Sequence, residues 1–198
     1  MQFYDRILSN SSSDSIKKIL LEDFNSFWKL DRTLYVDEYA EGLNLRRYFD
    51  CPQMVHDFVR YGEIKSEFTQ SILRNMNWPV LSQNLGIPNN VWRMKSNLMF
   101  KNKTSKSNTP HIDSNKKHIA MIYYVNDSDG ETTMYNKVRG DDLRRMRPIK
   151  KFKPRKGSFL VFDGEKYHSS RPPQNHDLRC VINFDLLDPQ LCTQSVPL

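Results

Sequence analysis

Apolar positions along the chain change period once. In the first ninety residues they recur at helical spacing, with Ile16, Ile19, Leu20 and Phe24 on one stripe and Ser12, Ser13, Asp14 and Ser15 before it as cap candidates. A second amphipathic stretch opens at Pro52, which a first helical turn tolerates. It carries Met54, Phe58 and Val59 and continues through Ile64, Phe68, Ile72 and Leu73 to Asn77-Trp78-Pro79. Pro79 and Pro88 are read as exits from helix. From Val91 onward the chain breaks into short β-type runs at residues 91–101, 118–125, 132–136, 150–154, 158–163 and 178–187, separated by turn residues. With no repeat and no low-complexity linker, the pattern predicts one α+β domain over residues 1–198. Residues 1–90 form a mainly helical buttress and residues 91–187 a β core. Strands this short with polar connections favour a sandwich or jelly roll over a parallel sheet.

Charge sharpens this picture without assigning a function. Thirty Lys and Arg against twenty-three Asp and Glu give a formal net charge of +7, which attracts polyanions whatever the true partner is. The densest basic stretch, residues 144–156, holds eight of those cations. It is read either as a phosphate-binding segment or, with more weight, as a solvated loop and an edge strand protected by charge. Cys51, Cys180 and Cys192 match neither a disulfide framework nor a zinc knuckle and are expected to be reduced thiols, Cys180 in the core. The N-terminus lacks a basic segment leading into an apolar run, and no stretch approaches the ~18 apolar residues of a membrane span. A soluble, unprocessed, cytoplasmic protein with no membrane partner is expected.

The chemistry lies in the β half. His111-Ile112-Asp113 places an imidazole and a carboxylate two positions apart, on the same side of an extended chain. Alone, the pair equally suits a loop in which the carboxylate orients the imidazole. His168 follows the strand-like run 157–163 after a turn at Gly164 and is the candidate third ligand. Two histidines and one carboxylate leave three coordination positions open, the arrangement of non-haem iron(II) oxygenases. A bidentate 2-oxo acid fills two of them and needs a cation for its far carboxylate. Arg179 can be that cation, because Leu178, Cys180, Ile182, Phe184 and Leu186 alternate on one face and Arg179 projects to the other with Val181 and Asn183.

Five segments in this order resemble the prolyl-4-hydroxylase-like branch of the 2-oxoglutarate and iron(II)-dependent dioxygenases. They are His111-Ile112-Asp113, Tyr123-Tyr124-Val125-Asn126-Asp127, Asp129-Gly130-Glu131-Thr132, the run from Lys153-Pro154 to Phe162, and His168-Ser169-Ser170-Arg171-Pro172. The resemblance spans residues 91–187. It implies a double-stranded β-helix, His111, Asp113 and His168 as ligands of iron(II), and Arg179 as the clamp for 2-oxoglutarate. It also implies dioxygen as co-substrate, with ascorbate as an accessory reductant. The implied reaction couples decarboxylation of 2-oxoglutarate to succinate with hydroxylation of a C–H bond. Tyr123 or Tyr124 is expected to donate a hydrogen bond to the co-substrate. Of these, Tyr123 lies an even number of positions from Asp113 only if the intervening turn is neglected. The chain departs from the family in Asp129, where a second glycine is common and where the change is expected to matter little. It departs again in Arg179, where lysine is common.

The implied substrate is a prolyl or other protein side chain, a free amino acid or another small molecule. A nucleobase is disfavoured because Asp185 stands where nucleic-acid demethylases carry a second arginine. Two readings from other classes compete. One is a noncatalytic nucleic-acid-binding module on the same scaffold, carried by residues 144–156, and the other is a cupin-like zinc or manganese enzyme in which Arg179 has no role. His118 and His176 are read as non-ligands and His56 as a helix residue. Trp28, Trp78 and Trp92 are core or rim aromatics, with Trp92 a candidate liner of a substrate entrance. Loops 101–110 and 134–147 are expected to rim the site.

Overall fold

The structure, a computed structural model, describes residues 1–23, 28–31 and 43–187; Phe24 and Cys192 lie outside the described residues. Its main sheet is antiparallel throughout. Its order is β1 (Gln2–Tyr4), β9 (Phe159–Asp163), β6 (Ile119–Tyr124), β11 (Leu178–Leu186), β5 (Val91–Phe100), β3 (Gln53–Arg60) and β2 (Lys29–Asp31), with β4 (Glu63–Ile64) beside β3. A second sheet, β10 (Lys166–Ser170), β7 (Thr132–Val138) and β8 (Pro148–Phe152), faces it.

Two cores follow from the two faces of the main sheet. On the outer face Met94, Leu98, Met121, Tyr123, Phe159, Cys180, Ile182 and Phe184 pack against three helices, α1 (Asn10–Lys17), α2 (Phe68–Asn75) and α3 (Trp78–Leu85). A π-helical turn, Lys18–Glu22, continues α1 and brings Leu20 into this core. On the inner face Ala120, Ile122, Tyr124 and Val181 meet Met134 and Phe152 of the second sheet. This is the jelly roll with packed helices expected from short strands with polar connections and from the helical stripe before them.

Four local expectations are corrected. Residues 53–60 form strand β3, so His56 lies on a strand and not a helix. The register of β3 against β5 shifts between Asp57 and Val59, and this bulge turns both Phe58 and Val59 toward the helices. Met54, Phe58 and Val59 then share one face at a spacing that imitates a helix. Pro79 opens α3 instead of ending a helix, in the first turn where its missing N–H is not needed. Residues 166–170, to which the hydrophobic pattern assigns no element, form β10, and residues 134–138 continue β7 into the segment expected to be a rim loop. Among the described residues no helix is long and apolar enough to cross a membrane.

Candidate active site

The connection between β5 and β6 carries the His-x-Asp pair, and a β-bridge ties it to β10. His111 N–H donates to His168 O at 2.9 Å and His168 N–H to His111 O at 3.1 Å. The bridge sets the two imidazoles side by side, their ring centroids 4.8 Å apart. His168 pairs with Met134 across the second sheet, and Met134 belongs to the inner core, so His168 faces the interior.

Each imidazole is oriented by the carbonyl two residues before it. His111 Nδ1 donates to Thr109 O at 3.0 Å and His168 Nδ1 to Lys166 O at 3.3 Å. A carbonyl only accepts, so the proton sits on Nδ1 and each Nε2 presents its lone pair to the interior. Asp113 completes the group, Oδ2 lying 3.2 Å from His168 Nε2 and Oδ1 4.0 Å from His111 Nε2. One donor atom from each of the three residues lies within 4.8 Å of the others, a set that a single cation can gather.

Electrostatics favour the ligand forms. Burial lowers the pKa of His111, as does the neighbouring His168, so the imidazole is neutral at neutral pH. Burial alone would raise the Asp113 carboxyl, but the adjoining Arg93 guanidinium outweighs it and helps hold it well below the usual carboxylate range.

Deeper in the barrel stands Arg179, 2 % exposed. Its Nε donates to Gly130 O at 2.8 Å and its Nη2 to Thr132 Oγ1 at 2.9 Å, while Tyr124 donates its hydroxyl to the same Thr132 oxygen at 3.0 Å. No carboxylate pairs with this guanidinium among the described residues, an unusual state for a buried charge. Burial lowers the pKa of Arg179 and raises that of Tyr124 to about 12. Thr132 lies two positions before Met134 on β7, so the guanidinium's anchor is roughly 7 Å along the strand from the partner of His168.

The register of β6 on β11 separates the two tyrosines. Tyr124 pairs with Val181, on Arg179's face, whereas Tyr123 pairs with Ile182 and packs in the outer core against Phe159. Tyr123's hydroxyl makes no hydrogen bond to a described residue. His118 and His176 stay outside the metal-type cluster: His118 Nε2 lies 3.8 Å from Asp185, and His176 Nδ1 3.1 Å from Asp129.

Sequence reasoning missed Arg93, Asp185 and Thr132. A buried-face signal for the first two was present, since Arg93 alternates with Lys95 and Asn97 while Asp185 shares Arg179's face. Only the pairing of β5 with β11 brings them together. Above the cluster a cleft of about 480 Å3 opens beside Asp113. Trp92, Tyr61, Arg60 and Lys95 line it, as does Arg139, which binds the Ser114 carbonyl. Lys116 Nζ sits 3.9 Å above the Trp92 ring, and Tyr61 is tilted against Trp92 with centroids 5.7 Å apart.

Residues 97–184, which include all three cluster residues and Arg179, match the family model described as 2OG-Fe(II) oxygenase superfamily. No curated protein sequence matches the chain. Among solved structures, a prolyl hydroxylase from Trichoplax adhaerens in complex with a hypoxia inducible factor peptide fragment is similar at 14 % identity. That likeness covers 98 % of this chain and 87 % of that one, with TM-score 0.59. The non-heme alpha ketoglutarate dependent carbocyclase SnoK from nogalamycin biosynthesis is similar at 10 % identity over 99 % and 87 % of the two chains, TM-score 0.61. A 2OG-Fe(II) oxygenase family oxidoreductase from Burkholderia pseudomallei shares 16 % identity over 68 % of this chain and 65 % of its own, TM-score 0.50. At such identities the structures share the fold, and the family match rests on the sequence of the β core. Residues 97–184 of this chain are thus similar in sequence to the 2OG-Fe(II) oxygenase superfamily.

Proposed function

We propose that the chain is an iron(II)- and 2-oxoglutarate-dependent dioxygenase that hydroxylates a side chain or small molecule entering the cleft beside Trp92. His111 Nε2, Asp113 Oδ2 and His168 Nε2 hold the iron, and Arg179 receives the far carboxylate of 2-oxoglutarate. Thr132 orients the guanidinium, and the Tyr124 hydroxyl stands beside both. The supporting observation is the buried guanidinium of Arg179, without a carboxylate partner among the described residues, one same-face strand step beyond the cation-gathering cluster. A dianionic co-substrate joining metal to Arg179 supplies the missing anion. When bound, iron and 2-oxoglutarate supply the oxidising power: dioxygen gives one atom to succinate, formed with loss of carbon dioxide, and the other to the substrate.

The substrate class we favour is a prolyl or other protein side chain. The prolyl hydroxylase with a bound peptide fragment has this fold, and a cleft of about 480 Å3 opens to the surface beside Asp113. A single-domain organisation and a cytoplasmic location belong to the same proposal. An iron(II) centre and the buried free thiols Cys51 and Cys180 suit a reducing compartment.

The test is anaerobic titration of the iron-loaded protein with 2-oxoglutarate, following the weak metal-to-ligand charge-transfer absorption, in the unaltered chain and in Arg179→Gln. A band in the first that needs about 10-fold or more co-substrate in the second is expected from loss of a buried charge pair. Admission of oxygen should then release succinate. No band in either protein, with zinc retained through purification, would overturn the proposal in favour of a zinc enzyme.

A further inference from the structure

The two oxygens of Asp113 face different neighbours. Oδ2 turns toward His168, at 3.2 Å from Nε2, while Oδ1 accepts a hydrogen bond from Arg93 Nη2 at 2.6 Å. Arg93 is itself fixed, with Nε donating to Asp185 Oδ2 at 2.8 Å and Nη2 standing 3.4 Å from Asp185 Oδ1. Arg93 and Asp185 are cross-strand partners on β5 and β11, so the sheet ladder sets their geometry. Asp113 sits in a connection and has no such support of its own. Behind Asp185, whose side chain is 1 % exposed, His118 packs with Nε2 at 3.8 Å and Nδ1 anchored on Lys116 O at 2.7 Å.

We infer that Arg93 is a positioning residue that limits Asp113 to a single metal bond. This rests on the proposed iron and 2-oxoglutarate site. A facial triad works by leaving three positions open, two for the 2-oxo acid and one for dioxygen. A carboxylate that chelated through both oxygens would occupy one of the positions the co-substrate needs. The guanidinium on Oδ1 competes with that second bond and leaves Oδ2 free for the metal. Asp185 acts differently. It cancels the charge of Arg93, so Asp113, Arg93 and Asp185 together carry the single negative charge of an isolated carboxylate ligand, and no net positive charge stands beside a divalent cation. The pair of half-buried Arg93 and buried Asp185 is then a device for coordination number, held on a rigid ladder.

The experiment compares the full chain with Arg93→Gln, Arg93→Lys and the double variant Arg93→Met with Asp185→Asn. The double variant leaves no orphaned buried charge should the single one fail to fold. Thermal unfolding reports the fold, loss of the free manganese(II) electron-spin signal reports metal binding, and anaerobic titration at saturating iron(II) reports 2-oxoglutarate affinity. Metal should still saturate in every folded variant. At saturating metal, 2-oxoglutarate affinity should fall by about 10-fold to 100-fold in Arg93→Gln and the double variant, the range for a lost outer partner of a ligand, with part recovered in Arg93→Lys. A folded double variant that binds 2-oxoglutarate within about 2-fold of the unaltered chain would overturn the inference, the expected loss being at least 10-fold. So would a folded variant that takes up no metal, because Arg93 would then serve binding itself. An unaltered chain that takes up no metal is a different failure, that of the proposed function.

Discussion

Arg179 owes its position to a residue with no side chain. A Cβ at Gly130 would lie 2.5 Å from Arg171 O and 2.8 Å from Arg179 Cδ, so glycine is what lets the turn carbonyl reach the guanidinium. Gly130→Ala should push Arg179 aside, lowering 2-oxoglutarate affinity at saturating iron about 10-fold and stability by about 1–3 kcal/mol, while metal binding is retained. Equal loss of both affinities would place the damage at the cluster instead. Gly164 is constrained in another way: an added Cβ would overlap the ring of buried His118. Gly164→Ala should therefore lower the melting temperature by a similar stability increment, about 1–3 kcal/mol. At this scale the metal-ligand candidates were legible because their chemistry forces rare residue types into a short ordered pattern. The choice between Tyr123 and Tyr124 was not legible, since it depends on how β6 registers against β11. A parity count from Asp113 could not decide between them, because it crosses a turn that does not preserve alternation.

Among the connecting segments, Asp129 overturns the expectation that its departure from glycine matters little. Its carboxylate accepts from the backbone N–H of Gln174, Asn175 and His176 at 3.0–3.3 Å and from the side chains of Asn175 and His176. It pins the loop between β10 and β11, and Arg171 in that loop donates to Asp129 O at 2.9 Å. Partial burial works to raise the Asp129 pKa, but these backbone donors outweigh it and hold the carboxyl below its usual range. A carboxyl depressed in the folded chain contributes stability that is complete above its unfolded-state value near 4. That contribution is lost as pH falls toward the lower folded value. Asp129→Asn should thus cost about 1–2 kcal/mol at pH 7, and its melting curve should converge on that of the unaltered chain between about pH 5 and pH 2. Parallel curves would mean the loop is held by other contacts. Element by element, β11 was legible from alternation, and β5, β6 and β9 as short β-type runs between turn residues. Strand β3 was not, because its bulge breaks the two-residue period, and β10 was not, because Tyr167, His168 and Ser169 are buried in succession on both faces.

For the molecule as a whole, the β core after Val91 was legible from the change of period, but strands β1 to β4, which join the main sheet from before Val91, were not. How the +7 surface behaves depends on distances the sequence does not contain. Four of the eight cations in residues 144–156 have acidic neighbours: Arg144 with Asp142 at 2.8 Å, Lys151 with Glu131 at 3.3 Å, Arg155 with Asp5 at 2.7 Å and Lys156 with Asp14 at 2.6 Å. Lys150 lies over the Phe152 ring at 5.1 Å. Among the described residues β8 pairs only with β7, and it exposes Pro148, Ile149, Lys150 and Lys151 along the outer strand of its sheet, where charge discourages pairing with another chain. That leaves Arg145, Arg147, Lys150 and Lys153 to meet phosphates, and about four neutralised phosphates give a salt dependence of slope roughly −3.6 on duplex DNA. Fluorescence anisotropy on a labelled duplex from low to physiological salt should therefore show weak binding with a slope of about −4 or shallower, fading near 0.15 M, and the same in His111→Ala. A slope near −7 with tight binding surviving at 0.15 M salt would mean that phosphates displace the acidic partners. The outer strand of the second sheet would then be a nucleic-acid surface, and the disfavoured nucleobase would become the first substrate to test in the cleft beside Asp113.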